Sequence, residues 1–248
     1  MGRESLYNKY HVTYNGIQDS TVGVHIASRP SIPAAREVIN TFTIPGRDGT
    51  LTVRDGTVED IAITVDFSYS EYPDEWQDTA YAARDWLLGH ANATLRFSDL
   101  SGIFYKVKYV ELSETSRQLK KTGTFSAIFH CEGYQYLDSG LVCRLLLEKK
   151  NKYATAHPIY NITASTDGTC TLTVGGKSIT ATVAQNLTID TDRMIAYRVV
   201  SGNTTISNTA LMMGNYDFKD LWLKRGSTSV SVTGSGFALG IIPNWRRI

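Results

Sequence analysis

The chain has 248 residues, 42% of them hydrophobic and 20% charged, with a formal net charge of +1. That length suits one large or two small domains and buries about 70% of the unfolded surface, so a core can form without disulfide staples. Near-neutral charge gives no global case for binding nucleic acid or anionic membrane, and no run approaches the ~20 apolar residues of a membrane-spanning helix.

The start, "MGRESLYNKY", is polar and lacks the apolar stretch of a signal peptide. The three cysteines, Cys131, Cys143 and Cys170, are odd in number and form no C-x-x-C. Free thiols and a reducing site of synthesis are expected. The four N-x-T sequons at Asn92, Asn161, Asn186 and Asn203 then read as chance matches in a Thr-rich chain. Fourteen tyrosines and 20 glycines lean toward β-structure.

The stretch "TIPGRDGTLTVRDGT" over 43–57 holds two Asp-Gly pairs, each after an arginine. Asp55-Gly56 predicts a two-residue hairpin turn between "TLTV" and the next strand. Pro45, Gly46, Arg47, Asp48 and Gly49 predict a longer turn. Pro45 ends a strand and removes a donor, the glycines permit positive φ, and Arg47 and Asp48 stand at the tip. The plainer reading is a turn with an internal Arg–Asp pair; the functional one is a tip docking on another protein through a bidentate arginine. "TVEDIAITVDFSYS" alternates through Val58, Ile61, Ile63, Val65 and Phe67, with a slip at Glu59-Asp60 that predicts a bulge.

A helix is expected over about 74–88, opened by Pro73-Asp74 and closed by Gly89, with Trp76, Ala80, Ala83 and Leu87 as one apolar stripe against the sheet. "GIFYKVKYVEL" and "GTFSAIFHCEGYQY" are alternating strands; Phe125, Ala127, Phe129 and Cys131 share a face. Between them "SETSRQLKKTG" predicts a long basic hairpin tip bearing Arg117, Lys120 and Lys121.

Composition shifts after Tyr136. We expect a first domain over 1–137, a linker over 138–157 and a second domain over 158–248. Through Leu147 there are 14 Lys+Arg against 18 Asp+Glu; beyond it, 11 against 6. In the second half "PIYNITA", "CTLTVGGKSITATV", "NLTID", "MIAYRVV", "TSVSVTG" and "FALGIIPNW" are short strands about ten residues apart, the spacing of an antiparallel sandwich.

Site chemistry is sparse. "VGGKS" at 174–178 has the ending of a phosphate loop, but Thr171 stands where the motif needs glycine. Alternating strands on both sides make Gly175-Gly176 a hairpin turn instead. No two of the five histidines lie four residues apart, and there is no H-E-x-x-H. His130 and Cys131 are strand neighbours with opposed side chains, which excludes a local Cys–His dyad. Asp48, Asp55, Glu59, Asp60 and Asp66 could supply a glycosidase pair, but solvated or ion-paired carboxylates are the commoner case. No catalytic residue, cofactor or metal site is assigned.

"IPGRDGTLTVRDGTVEDIAITVDF", a helix with Trp86-Leu87-Leu88, "LRFSD", "FYKVKYVELSE" and "GTFSAIFHCEGYQYL" together resemble the distal tail protein family, Dit, of long-tailed non-contractile phages. "YHVTYNGIQDSTVGVHIASRPSIP", "TLTVGGKSITATVAQNLTIDTD", "MMGNY" and the closing "IIPNWRRI" extend the resemblance over nearly the whole chain. It implies a mainly β protein. The N-terminal domain would be a tail-tube-like β-sandwich with one helix and a long hairpin, and the C-terminal one a galectin-like antiparallel sandwich. It further implies a homo-hexameric ring at the virion tail tip, assembled in the bacterial cytoplasm. That ring would join the tail-tube protein to tail-tip and receptor-binding or baseplate proteins. DNA would pass through it without specific binding, and there would be no membrane insertion and no catalysis. On this reading the Pro45–Gly49 turn is an inter-subunit or structural element, and the Arg117, Lys120, Lys121 tip lies at a ring face. Other readings are a carbohydrate-binding adhesion protein using Tyr216, Trp222 or Trp245, a tail-tube protein proper, and a wall hydrolase.

Overall fold

A computed structural model describes residues 10–118, 121–145, 150–212 and 217–248. The chain forms two units that divide between Gln135 and Tyr136. The first contains β1 (Val12–Tyr14), β2 (Ile17–Gln18), β3 (His25–Ile26), β4 (Glu37–Thr43), β5 (Thr50–Val58), β6 (Ile61–Ser70), β7 (Ala93–Phe97), β8 (Ile103–Leu112), β9 (Ser116–Gln118) and β10 (Thr122–Cys131). The helix, α1, spans Trp76–Leu87.

One antiparallel sheet runs β2-β1-β7-β8-β10-β6-β3, with β9 continuing the hairpin beside β10. β1 lies three places from β10, yet the Tyr14 and Phe129 rings are 5.4 Å apart. The sheet therefore folds over on itself as a sandwich. Its core is aromatic. Phe67 stacks on Phe125 at 5.3 Å and meets Trp86 edge-on at 5.8 Å. The Trp86 indole N–H donates to the Tyr14 carbonyl at 3.1 Å, which satisfies its one polar atom. The expected stripe of α1 is buried, and Trp86 joins it. The helix begins at Trp76 with no side-chain cap on Glu75, two residues after the expected start, because the chain first makes a turn through 73–75.

Two turn expectations are corrected. Asp55-Gly56 is no hairpin turn: both residues lie inside β5, and Gly56 takes φ +76°. The register shifts opposite them, between Glu37 and Ile39, so the glycine makes a bulge. Conversely, Glu59-Asp60 is no bulge in a continuous strand. It is the corner between β5, which among the described residues pairs only with β4, and β6 of the main sheet. Period-two patterning survives such a corner, so it cannot report the change of sheet.

The second unit spans Tyr136–Arg247. After β11 (Gln135–Leu137) come β12 (Ile159–Ala164), β13 (Gly168–Val174), β14 (Lys177–Val183), β15 (Asn186–Asp190), β16 (Ile195–Val200), β17 (Asn203–Ile206), β18 (Leu211–Met212), β19 (Val230–Thr233), β20 (Phe237–Ile242) and β21 (Arg246–Arg247). Two antiparallel sheets, β17-β16-β15-β12-β20 and β18-β14-β13-β19, enclose an aliphatic core of residues such as Ile162, Leu172, Ile179, Leu187 and Ile241. Gly175 and Gly176 form the β13–β14 turn with φ +56° and +84°, as the sequence predicts. In the described part of 138–157, the expected linker, Arg144 bridges Ile241, Asn151 bridges Gly226 and Ala156 bridges Leu223. That chain is tied into the second unit.

Candidate assembly surfaces

The Pro45–Gly49 turn is the tip of the β4–β5 hairpin. Thr43 pairs Thr50, the Arg47 amide donates to the Ile44 carbonyl at 3.2 Å, and Gly46 and Gly49 take φ +81° and +75°. Only glycine adopts those angles without strain. Arg47 and Asp48 are both exposed. Among the described residues neither makes a salt bridge or a side-chain hydrogen bond, so the turn is held by its backbone.

Among the described residues, the hairpin behind this tip is a two-stranded ribbon with no third strand. Its register sorts the side chains into two faces. Asn40 opposes Val53, and Phe42 opposes Leu51, on one; Thr41 opposes Thr52, and Ile39 opposes Arg54, on the other. On the first face Phe42 is 54% and Val53 44% exposed. An isolated two-stranded ribbon is marginal in water, and it offers an apolar face and two open edges. The sequence reading caught the tip and missed Phe42, Leu51 and Val53. The alternation in "NTFT" and "TLTV" was a signal for strands, but nothing local says whether a face is covered.

The second hairpin tip behaves differently. Arg117 lies over the Trp76 ring at 4.8 Å, and Lys121 over Tyr72 at 5.0 Å. The Glu71 amide donates to the Lys121 carbonyl at 3.0 Å. These cations thus sit on the aromatic side chains at the start of α1. Lys120 lies outside the described residues. Gly123 is required beside them, because a Cβ there would stand 2.3 Å from the Tyr69 ring.

On β6 and β10 the side chains facing away from the core include Thr64, Asp66, Ser68, Thr124, Ser126 and His130. Neither strand carries a lysine or arginine. Asp66 accepts from the Ser126 hydroxyl at 2.6 Å. His130 stacks on Tyr109 at 4.2 Å, while Cys131, on the other face, is buried and its thiol is pushed up to about 12 by burial and then by Asp60 and Glu132.

In the second unit Trp222 is half-buried. Its ring stacks on His157 at 4.0 Å and its N–H donates to the Thr191 carbonyl at 3.3 Å. His157 also holds Asp192 through Nδ1 at 2.8 Å and meets Arg246 through Nε2 at 2.7 Å. The arginine must donate, so Nε2 accepts and Nδ1 carries the proton. One face of Trp222 is therefore taken by a structural network, whose members lie too far apart in sequence for spacing to show. Tyr216 lies outside the described residues. Trp245 is 8% exposed. Among the described residues no three His, Cys, Asp or Glu side chains cluster as a metal would need, and no helix is long and apolar enough to cross a membrane.

No protein-family model and no curated protein matches the sequence. Among solved structures, the chain is similar to the SPP1 Dit (gp 19.1) protein, described as a paradigm of hub adsorption apparatus in Gram-positive infecting phages. Identity is 14% with a TM-score of 0.58, over 94% of this chain and 98% of that one. At that identity the likeness speaks for architecture, and its coverage takes in both units: the chain has a Dit-like fold.

Proposed function

We infer that this protein is a structural component of a phage tail. It acts as a distal tail hub: a homo-hexameric ring that joins the tail-tube protein to tail-tip and receptor-binding or baseplate proteins, lets DNA pass, and carries out no catalysis. It sits at the virion tail tip after assembly in the bacterial cytoplasm. Residues 1–137 build the ring and 158–248 form an outward galectin-like domain.

The observation that carries this reading is the β4–β5 ribbon. It extends an apolar face and two edges that no described residue pairs or covers, on a fold similar to a protein of a phage adsorption hub. Closed cyclic symmetry covers such surfaces on every copy at once. Arg47 and Asp48, at the ribbon tip, contact the neighbouring subunit. The outward face of β6 and β10 supports a DNA channel lined by hydroxyls and Asp66. Cations there would bind phosphate and hold the genome in place, and Arg117 and Lys121 are kept on α1 at a ring face. Trp222, half-buried and stacked on His157, is the candidate for an outward contact.

Solution mass with negative-stain images of the purified protein tests the reading. Six-fold rings, alone or after addition of the tail-tip partner, are expected. A monomer at high concentration that stays a monomer with that partner present rejects it. Long tubes would favour a tail-tube protein, and release of peptidoglycan fragments would favour a hydrolase.

A further inference from the structure

The five-stranded sheet of the second unit is closed at one end and open at the other. At β20 the outer edge is taken by Arg144, whose amide donates to the Ile241 carbonyl at 2.8 Å and whose carbonyl accepts from the Ile241 amide at 2.7 Å. At the far end stands β17, reached from β16 by a tight turn in which Ser201 and Gly202 take φ +49° and +82°. β15 does not reach the end of this hairpin. The side chain of Asn186, its first residue, replaces the missing strand bonds: it accepts from the Val199 amide at 2.9 Å and donates to the Val199 carbonyl at 2.8 Å.

These bonds fix which way each backbone group points. The Val199 groups turn toward β15, so those of Arg198 and Val200 turn toward β17, where they meet Thr205 and Asn203. The N–H and C=O of Thr204 and Ile206 therefore point away from the sheet, and among the described residues no strand pairs with them. The side chains sort in the same way. Thr204 shares the outer face with Val199, and Ile206 shares it with Tyr197. Thr205 lies on the inner side with Arg198, whose guanidinium donates to the Thr182 carbonyl of the second sheet at 3.1 Å. All of β17 is exposed, Ile206 to 66%. Soluble proteins guard such an edge with lysine, proline or an inward charge. Here residues 199–212 contain no charged residue and no proline.

We propose that β17 is a docking edge for the β17 of a second copy of this chain, the two strands pairing antiparallel about a two-fold axis at Thr205. In this register Thr204 lies opposite Ile206 of the second copy and exchanges both backbone hydrogen bonds with it, and the reverse pair does the same. Thr205 faces its own twin across the axis as a non-hydrogen-bonded pair, a favourable Thr–Thr match. The absence of charge selects this occupant. A two-fold axis sets each residue near its twin, so a lysine or glutamate here would repel itself. One edge serves both copies, and no complementary patch elsewhere is needed. A contact of one short strand per copy falls below the roughly 1,200 Å² of stable interfaces, so the pairing is weak and reversible. It lies in the second unit and does not rest on the ring reading.

Disulfide trapping on the full chain tests the register. Cys143→Ser first removes the exposed native thiol. In that background Thr205→Cys sets two sulfurs across the axis, on Cβ atoms about 5 Å apart. Asn203→Cys is the control, because the register places it opposite Ser207 of the second copy. Mild oxidation at equal concentration, read on a non-reducing gel, should give roughly tenfold more covalent dimer from Thr205→Cys than from Asn203→Cys. Adding Ile206→Lys should cut the Thr205→Cys yield about tenfold, since a lysine guards the edge. Adding Phe42→Ala should leave the yield unchanged, because β4–β5 takes no part. All the substituted positions of β17 are exposed, so the reduced variants should melt with the Cys143→Ser parent. Equal yields at 203 and 205, or a dimer indifferent to Ile206→Lys, overturn the proposal. No dimer at 205 overturns it as well and leaves the edge to a strand of another protein. Loss of the dimer on Phe42→Ala overturns it by making the contact a by-product of ring assembly, whereas a dimer that survives Phe42→Ala stands whether or not rings form.

Discussion

Two hairpins in this molecule use the same local chemistry and end in opposite situations. β13–β14 turns on Gly175-Gly176, and its alternate residues Leu172, Val174, Ile179, Ala181 and Val183 are almost fully buried between two sheets. β4–β5 turns on Pro45–Gly49, with glycines in the same left-handed region, and its Phe42 and Val53 remain about half exposed. Turn residues and alternation specify a hairpin. Whether its apolar face is satisfied is decided by what the rest of the chain, or another chain, brings to it. The first ribbon is complete within one copy, and the second is not.

The largest expected effect separates the two directly. Leu172→Ala should cost about 2–5 kcal/mol of unfolding free energy, since it opens a cavity in a closed core. Phe42→Ala should change the free chain by no more than about 0.5 kcal/mol, because the side chain is not buried there. Denaturant unfolding of dilute protein measures both. If the proposed ring forms through this face, the same Phe42→Ala variant should lose assembly at concentrations where the wild type assembles. Comparable unfolding costs in the dilute chain would mean that Phe42 is already covered, and the contrast between the hairpins would fail.

Thiol chemistry probes covered and open surface in another way. Cys131 ends the covered face of β10, and burial holds its thiol up to about 12 against an ordinary 9.0. The folded form thus keeps a proton that the unfolded form releases. Its stabilising contribution is fully present below pH 9 and is lost as pH rises from there to about 12, a few kcal/mol at most. Cys131→Val should flatten that part of the alkaline unfolding profile. Cys143 is exposed, so a thiol reagent should label it in the native protein, while Cys131 and Cys170 react only on denaturation. Rapid native labelling of Cys131 would show that its face is open.

How much of this was legible in the sequence follows the same division. Period-two patterning located β6, β8, β10 and the long strands of the second unit, and helical spacing located the buried stripe of α1. Each signal is local, so each survives without tertiary information. What failed needed distant partners. Asp55-Gly56 has hairpin composition but lies opposite β4, where a positive-φ glycine is absorbed as a bulge. Short β17, β18 and β21 exist because neighbours supply their hydrogen bonds, and two to four residues carry no period of their own. Trp222 looked like an outward aromatic, but His157, 65 positions earlier, lies on one face. At the candidate site the tip was legible from Pro45–Gly49. The uncovered face behind it was not, since exposure is a property of the whole fold.

A smaller effect is expected at Gly123, on the covered side of the comparison. A Cβ there would stand 2.3–2.6 Å from three atoms of Tyr69, a buried ring flanked by Trp76 and Phe125. That ring cannot swing away without displacing its neighbours, so Gly123→Ala should cost about 1–3 kcal/mol by overpacking. Gly202→Ala is the opposite case on an open turn, where nothing stands within 4 Å and only the φ of +82° opposes the change. Gly123 takes no positive φ, so packing alone opposes the change there; a cost under about 0.5 kcal/mol in thermal and denaturant unfolding would show that the Tyr69 ring yields and the close packing does not hold.

The smallest effect on the free chain, and the sharpest test of the open hairpin, is at its tip. Arg47 is exposed, and the turn beneath it is held by Gly46, Gly49 and the Arg47 amide. None of these depends on the guanidinium. Arg47→Ala should therefore leave dilute-chain stability within about 0.5 kcal/mol of wild type, as for surface positions generally. If the tip docks on a neighbouring subunit, the guanidinium becomes desolvated and charge-paired only there, and its loss should weaken assembly by about 1–3 kcal/mol per contact. Arg47→Lys should recover only part of this, because an ammonium cannot make the paired hydrogen bonds of the guanidinium fork. Sedimentation across a concentration series reads the assembly constant, and a melt of the dilute chain reads the fold. A loss of assembly with an unchanged melt places Arg47 at an interface. An equal loss in both would make it a folding residue, and no loss in either would leave the tip as plain surface.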